Sequence, residues 1–529
     1  MAYHTNLYLF LFLPAVLLLY QMAPRRWRSG VLLCSSYLFF ASISKGLVIY
    51  LAGSTLLTYG TGLALLHLKQ KCSSETAEVA RAQAQNIREK FRKKEKLVLL
   101  AGIFSLVFLL GYLKYYNFFA DNLNRLVERA GGASFLSLKR LAVPVGISFY
   151  TLEAIGYMMD VYWDRMIAER RPWKLALFLS FFPKMMEGPI CSYSALSEQL
   201  GTGDALKAEN LTHGFVRILW GLFKKMVVAD RLYLMVNTVF DNYKGYSGMV
   251  IVIGAIAYTI QLYMEFSGSI DIVIGSGRLF GIVLPENFRQ PFCAVNAADF
   301  WRRWHISLGV WLKTYVFYPV SVSEYVKKWN RFARKRFGKY WAKVGLSALC
   351  LFPVWFLNGL WHGAKWSYLF YGMYYFVILL IGVMAEPLGS QVRKVLHVKE
   401  NSRWWRCLQI GKTWLIIFTG ELFFRADTLR AGLAMFGSIF RDFDFATLWN
   451  GTILNLGLGR ADLLAIVLGC IVVGIVGSLK ERNRPVLDGL LQARMPLRWA
   501  VYCTLILAVV ILGAYGSGYQ EVDLIYAGF

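Results

Sequence analysis

The sequence predicts an all-α, polytopic integral membrane protein of about 11–13 membrane segments. Three observations predict it: 57% of the 529 residues are hydrophobic, only 17% are charged, and the apolar residues occur in long runs. A soluble chain would carry about 25% charged residues, and a disordered chain would be far less apolar. The net charge is +26, and the basic residues that produce it lie between the apolar runs. This distribution is typical of the cytoplasmic loops of a membrane protein rather than of a nucleic-acid-binding surface.

The first apolar run, Leu7 to Met22, is followed by Arg25, Arg26 and Arg28. A signal peptide has the opposite order of charge and apolar residues, so we expect an uncleaved helix whose end faces the cytoplasm. Further apolar runs lie near 30–45, 47–66, 97–119, 141–162, 173–191, 211–240, 247–283, 344–361, 364–386, 408–424, 461–479 and 498–516. Since a spanning helix needs about 20 residues, the shorter and Gly- or Pro-broken runs are expected to be re-entrant or packed inside the protein.

Four basic loops test this layout, at 67–96, 324–343, 388–407 and 480–498. With the first helix ending in the cytoplasm, pairs of crossings place all four loops on that side, as the positive-inside rule requires. The last crossing then puts the C-terminus outside. The eight cysteines show no regular spacing, so neither a disulfide framework nor a metal site is predicted.

Polar residues inside the apolar runs form helical stripes, which are costly in a membrane and face a protein interior. Either hydrogen bonds between helices or contacts with a substrate explain such stripes. The stripes are Tyr258, Gln261 and Glu265; Glu153, Tyr157 and Asp160; and the pair Glu421 and Arg425, spaced for an ion pair.

Two histidines have unusual neighbours. If the segment around His305 is one helix, Trp301 lies one turn before it and Gly309 one turn after, which leaves space beside the imidazole. Arg302 and Arg303 could hold an anionic group such as a phosphate.

His362 follows Trp361 and lies between Gly359 and Gly363, which also clear space around a ring. A neutral imidazole can take a proton from a hydroxyl group and return it, as acyl transfer from a thioester to an alcohol requires. The alternative is that both histidines are core residues with satisfied hydrogen bonds.

Seven segments between about 140 and 430 together resemble the membrane-bound O-acyltransferase family, in its bacterial branch of alginate O-acetyltransferases and teichoic-acid D-alanyl transfer proteins. They are FFPKMMEGPI at 181–190, GLFKKMVVAD at 221–230, QLYMEFSG at 261–268, LPENF at 284–288, DFWRRWHISL at 299–308, WHGAKW at 361–366 and LFFRA at 422–426.

The resemblance implies a helical bundle with broken or re-entrant helices around a central chamber, in a bacterial cytoplasmic membrane. It divides the chain into N-terminal membrane helices (1–140), a catalytic core (141–430) and a C-terminal hairpin with an extracytoplasmic tail (431–529). It assigns the catalytic roles to His305 and His362. We favour His305 as the base, because it combines arginines that could hold an anion with a gap at Gly309. The residues expected to bind substrate or support the site are Asp299, Arg302, Arg303, Gln261, Glu265, Asn358 and Trp361.

The resemblance further implies an acyl donor, acetyl-CoA or an acyl-carrier protein, that arrives from the cytoplasm, and no permanently bound cofactor or metal. An extracytoplasmic SGNH-type partner would pass the acyl group, favoured as acetyl rather than D-alanyl, to a polysaccharide or cell-wall polymer. Tyr526, near the C-terminus, is a hypothetical acyl relay, because a phenol ester is more activated than an alkyl ester. The rival functions are a transporter or flippase for a lipid-linked sugar and a membrane scaffold for an outer hydrolase.

Overall fold

A computed structural model describes residues 2–202, 206–395, 397–398 and 402–515 of the chain. Within these residues the secondary structure is helical, with one isolated antiparallel bridge between Phe288 and Trp304. The all-α prediction is therefore confirmed.

The helices are numbered in chain order. They are α1 (Leu13–Met22), α2 (Arg28–Ser44), α3 (Val48–Thr76), α4 (Arg81–Leu110), α5 (Tyr116–Arg129), α6 (Ile147–Tyr162), α7 (Pro172–Ser180), α8 (Tyr193–Thr202), α9 (Ala208–Leu222), α10 (Asp230–Asp241), α11 (Gly248–Leu279), α12 (Ala297–Trp301), α13 (Ile306–Leu312), α14 (Tyr318–Ser321), α15 (Glu324–His362), α16 (Trp366–Val395), α17 (Arg403–Arg425), α18 (Leu429–Arg441), α19 (Arg460–Glu481), α20 (Val486–Gln492) and α21 (Met495–Leu512). Four π-helical segments adjoin them, at Leu7–Phe12, Gly111–Tyr115, Phe223–Ala229 and Lys313–Phe317.

Eight helical stretches among the described residues are long and apolar enough to cross a membrane, and Leu7–Met22 is a shorter apolar helix. Together they make the chain a multi-pass membrane protein, as the sequence predicts. The eight are Arg25–Thr76, Arg81–Arg129, Gly248–Leu279, Glu324–His362, Trp366–Val395, Arg403–Arg425, Arg460–Glu481 and Met495–Leu512.

The described residues divide into two units, one within the ranges 1–215 and 273–285 and the other within the ranges 216–272 and 286–529. Both histidines of interest lie in the second unit. The boundaries at 140 and 430 that the family resemblance implies stay predictions.

In the first unit, the polar stripe on α6 makes contacts within the protein. The carboxylate of Glu153 forms a buried ion pair with Lys184 and accepts a hydrogen bond from the backbone N–H of Cys191 at 3.0 Å. Tyr157 accepts from the N–H of Glu169 at 2.9 Å, and Asp160 pairs with Arg165 at 3.2 Å. These contacts favour the interpretation of this stripe as internal hydrogen bonding.

In the second unit, α15 and α16 pack closely because small residues face each other. α15 changes direction at Gly338, which has φ +78°, and its later part approaches α16. A side chain at Gly372 would meet the carbonyl oxygen of Trp355 and the backbone of Gly359. A methyl group at this crossing therefore requires the helices to separate.

Substitution Gly372→Ala is expected to lower the stability of the detergent-solubilised protein by about 1–3 kcal/mol, because overpacking a helix contact forces backbone shifts. The matched control is Gly382→Ala on the same helix, where a side chain would meet nothing within 4 Å. Thermal unfolding followed by circular dichroism should show a lower midpoint for the first variant only. Equal midpoints would contradict this account of the crossing.

Candidate active site

His305 lies between two short helices, not inside one. α12 ends at Trp301 and α13 begins at Ile306, and His305 has φ +47° and ψ +52°. This left-handed conformation costs a non-glycine residue of the order of 1–2 kcal/mol. Gly309 does lie one helical turn after His305, since its N–H donates to the carbonyl oxygen of His305 at 3.1 Å. The expectation that Trp301 lies one turn before His305 in the same helix is wrong, because the backbone turns at the histidine itself.

Asn287 holds this turn in place. The bridge between Phe288 and Trp304 brings the two segments side by side, and the N–H of Ile306 donates to the carbonyl oxygen of Asn287 at 3.0 Å. The side-chain oxygen Oδ1 of Asn287 accepts from the backbone N–H and the hydroxyl of Ser307, both at 2.9 Å. Because a backbone N–H can only donate, the amide of Asn287 must present its oxygen here.

The same oxygen lies 3.4 Å from Nδ1 of His305. An oxygen that accepts from Ser307 can only accept from the imidazole as well, so this contact favours the proton on Nδ1. Nε2 then carries the lone pair and is the atom that can accept a proton.

Aromatic side chains enclose the His305 ring, which is 2% exposed. Its centroid lies 4.9 Å from that of Phe266 on α11 and 5.4 Å from that of Trp361, both edge-to-face. His305 lies outside the candidate membrane spans, and burial lowers the pKa of its imidazole to about 3. The ring is therefore neutral at physiological pH.

His362 is the last residue of α15 and packs on the same tryptophan. Its ring centroid is 5.0 Å from that of Trp361, 4.9 Å from that of Phe424 and 5.8 Å from that of Tyr371. The hydroxyl of Tyr371 donates to Glu421 at 3.0 Å. The structure thus brings the two predicted catalytic imidazoles against one shared indole.

Among the glycines beside the histidines, Gly359 has a different role from the one that the sequence suggests. A side chain at Gly359 would meet the carbonyl oxygen of Tyr368 at 2.6 Å, so this glycine permits close contact with α16. At Gly309 it would meet the carbonyl oxygen of Trp301 at 3.7 Å. Gly363, with φ +156°, follows the end of α15. Of Gly359 and Gly309, only Gly359 therefore makes a close backbone contact, and the space predicted beside Gly309 stays a prediction.

The two arginines near His305 differ in their availability. Arg303 lies 3.1 Å from Asp299 and 2.8 Å from Glu481, so its charge is already matched. The side chain of Arg302 is 72% exposed and approaches Asp299 only to 3.5 Å. Arg302 is the more accessible of the two for an anionic group.

The remaining predicted site residues are buried side chains whose neighbours differ. Glu265 on α11 approaches the ammonium group of Lys225 to 3.9 Å. Gln261 and Asn358 are 5% and 4% exposed, and their side-chain oxygens have no hydrogen-bond partner among the described residues. The indole of Trp361 contacts the rings of both histidines.

Two further predictions concern the pair Glu421 and Arg425 and the C-terminal Tyr526. Glu421 and Arg425 do not pair, because Glu421 accepts from Tyr371 whereas Arg425 donates to Asn237 at 2.7 Å. Tyr526, the proposed acyl relay, lies outside the described residues.

Sequence reasoning gave no individual role to Asn287 or Tyr371. The signal for Asn287 was its place in the Leu284–Phe288 motif.

Comparison with known proteins identifies the family. The model of the membrane-bound O-acyltransferase (MBOAT) family matches residues 171–388, which include both histidines. A protein of Pseudomonas putida named "Probable alginate O-acetylase AlgI" is 31% identical over 473 residues, covering 89% of this chain and 85% of the relative. The chain belongs to the membrane-bound O-acyltransferase family. It is an O-acyltransferase embedded in a membrane.

Other relatives of this MBOAT protein act on different polymers. A peptidoglycan O-acetyltransferase of Helicobacter pylori is 29% identical, with 82% of this chain and 78% of the relative covered. A teichoic acid D-alanyltransferase of Bacillus subtilis is 28% identical, with 53% of this chain and 68% of the relative covered.

Proposed function

We propose that this MBOAT protein transfers an acetyl group from a cytoplasmic thioester, for O-acetylation of an extracytoplasmic polysaccharide or cell-wall polymer. The observation that carries the proposal is the pair of buried imidazoles on one indole, with Asn287 orienting the first. Acetyl is favoured over D-alanyl because the alignments with the acetylases extend over 82–94% of this chain, and that with the D-alanyltransferase of Bacillus subtilis over 53%.

In the proposed reaction, His305 is the general base. Nε2 removes the proton of the acceptor hydroxyl while its oxygen attacks the thioester carbonyl, and a tetrahedral intermediate forms. The intermediate collapses, the carbon–sulfur bond breaks, and the imidazolium returns its proton to the leaving thiolate. Burial lowers the pKa of this imidazole, which keeps the ring neutral and able to accept a proton but makes it a weaker base than a free imidazole.

His362 is proposed to support the acyl group or the oxyanion. Its ring lies against the phenol of Tyr371, whose hydroxyl is held by Glu421. This arrangement also suits the reverse assignment, with His362 as base and His305 as its support. The pH dependence of the reaction distinguishes the two assignments, as described in the Discussion.

The donor is proposed to be acetyl-CoA, with an acyl-carrier protein as the alternative. The exposed guanidinium of Arg302 is suited to a phosphate group of either donor. The basic loops predicted on the cytoplasmic side would attract the same charge.

Three other parts of the proposal concern the outer side. An SGNH-type partner would receive the acetyl group there, the C-terminus would be extracytoplasmic, and Tyr526 would relay the group. The membrane would be a bacterial cytoplasmic membrane. Substitution Tyr526→Phe tests the relay, which is wrong if polymer acetylation continues at the rate of the unaltered protein.

Purified protein in nanodiscs with radiolabelled acetyl-CoA tests the main proposal. An acyltransferase releases free coenzyme A in the presence of an acceptor polysaccharide or becomes labelled itself. A transporter or flippase would move its substrate unchanged, and a scaffold would do neither. Absence of both coenzyme A release and labelling would contradict the proposal.

Asn287 is a positioning residue in this scheme. The kcat of its variants should therefore depend on whether the new side chain still offers a hydrogen-bond acceptor to the imidazole. Asn287→Leu removes the acceptor that fixes the imidazole, and kcat should fall about 100-fold with a smaller change in KM. Asn287→Asp keeps an acceptor oxygen, and kcat should remain within about tenfold of the original. Steady-state acetyl-CoA turnover measures both, and similar losses in the two variants would contradict the orienting role.

A further inference from the structure

Two neighbouring cavities lie in the second unit beside the end of α19, away from the histidines. A small charged cavity of about 50 Å³ and a larger cavity of about 360 Å³ share four lining residues. The shared residues are Arg217, Trp220, Val476 and Lys480.

The charged cavity holds one more cation than its carboxylates neutralise. Arg217 pairs with Asp271 at 2.5 Å and with Glu286 at 2.6 Å. Lys224 pairs with the other oxygen of Asp271 at 2.5 Å. Lys480 is the third cation of this cavity, and within the described residues its ammonium group forms no ion pair.

The larger cavity is almost wholly apolar apart from this charged rim. Its walls are side chains of α19, α20 and α21 together with Val216 and Trp220 of α9, and only Thr504 adds a further polar group. Its volume lies within the range of about 300–1,000 Å³ that is typical of small-molecule sites. An apolar cavity whose rim has one cation in excess of its ion pairs fits an amphiphile with a single negative head group.

We propose that this cavity binds an anionic phospholipid, with an acyl chain between α19 and α21 and the phosphate at Lys480. Trp220 at the rim has the amphipathic character of residues at the level of the lipid head groups. The loop 480–498 is one of the basic loops predicted to be cytoplasmic, and the cytoplasmic leaflet of membranes carries anionic lipids. The proposal does not depend on the acyl-transfer chemistry. It concerns a lipid rather than the acyl donor, because the polar groups of a pantetheine arm would lie against apolar walls in this cavity.

Native mass spectrometry of the full-length protein in detergent, with dioleoylphosphatidylglycerol or dioleoylphosphatidylcholine added, tests the head-group site. The original protein should prefer the anionic lipid. Lys480→Gln should weaken its binding about tenfold and abolish the preference, because one charge-assisted contact with the phosphate is lost. The matched control is Lys394→Gln, an exposed lysine that also lies at the end of a candidate span, which should retain the preference.

A second pair of variants tests the acyl-chain site. Ala500→Trp places a large side chain in the cavity and should reduce binding of both lipids. Leu507→Trp, at a position 54% exposed on the same helix, should not. Inorganic phosphate should fail to displace the lipid, since it lacks an acyl chain.

The proposal is overturned if Lys480→Gln and Lys394→Gln weaken binding of the anionic lipid equally. It is also overturned if Ala500→Trp leaves binding of both lipids unchanged. Displacement of the lipid by acetyl-CoA would also overturn it and would assign the cavity to the donor. Because these are binding measurements, they are independent of whether the protein transfers acetyl.

Discussion

Replacement of His305 by alanine is expected to lower kcat for acetyl transfer by about 10²–10⁴-fold, the usual contribution of a general base. The loss arises because the substitution removes Nε2, the proton acceptor whose position is fixed through Asn287. Release of free coenzyme A from acetyl-CoA, measured with a saturating acceptor, gives the rate.

The control for this prediction is His67→Ala, an exposed histidine on α3 that should leave kcat unchanged. Thermal unfolding should show that His305→Ala still folds. A rate within tenfold of the original would remove His305 from the role of base. His362→Ala would then be the decisive variant.

The pH dependence of kcat/KM separates the two assignments. Burial lowers the pKa of His305 to about 3, so this base stays unprotonated as the pH falls from 8 to 5. An acidic limb near pH 6.5 is therefore not expected from His305. Such a limb, lost in His362→Gln, would assign the base to His362 instead.

Substitution Lys184→Met is expected to destabilise the protein by about 3–5 kcal/mol, because it leaves the carboxylate of Glu153 buried without its counter-charge. The two side chains are 2% and 4% exposed, so water cannot replace the lost partner. Chemical or thermal unfolding of the detergent-solubilised protein measures the difference.

Two comparisons sharpen this test. The double variant Glu153→Leu with Lys184→Met should recover most of the loss, because no unpaired charge remains. Lys343→Met removes an ion pair whose side chains are 59% and 64% exposed, and it should cost at most about 1 kcal/mol. A Lys184→Met variant as stable as Lys343→Met would show that the buried pair contributes little.

The local course of the chain at His305 could not be read from periodicity. The segment from Asp299 to Lys313 has helical spacing, but the bridge between Phe288 and Trp304 holds one side of it and a left-handed histidine turns it. A pairing between residues that are far apart in sequence overrides local propensity, and no pattern within the segment itself reports it.

The contact partners of Glu421, Arg425 and Gly359 could not be predicted from the sequence either. Glu421 and Arg425 have the spacing of an ion pair on one helix, but neighbouring helices supply Tyr371 and Asn237 instead. Glycines beside a histidine suggest space for a substrate, whereas Gly359 admits the backbone of another helix. In both cases the local geometry permits several contacts, and the packing of other helices selects one.

The amino-acid sequence alone determined the membrane-embedded, all-helical class, because apolar runs of spanning length bounded by basic loops have few other stable arrangements. It also singled out the two histidines and, through the motifs around them, the family. Only the tertiary structure decided that both rings meet one indole and that Asn287 orients one of them. It also decided that, among the residues described, Lys480 has no ion-pair partner beside an apolar cavity. These features join residues from separate helices, and their distances depend on how the helices pack rather than on spacing along the chain.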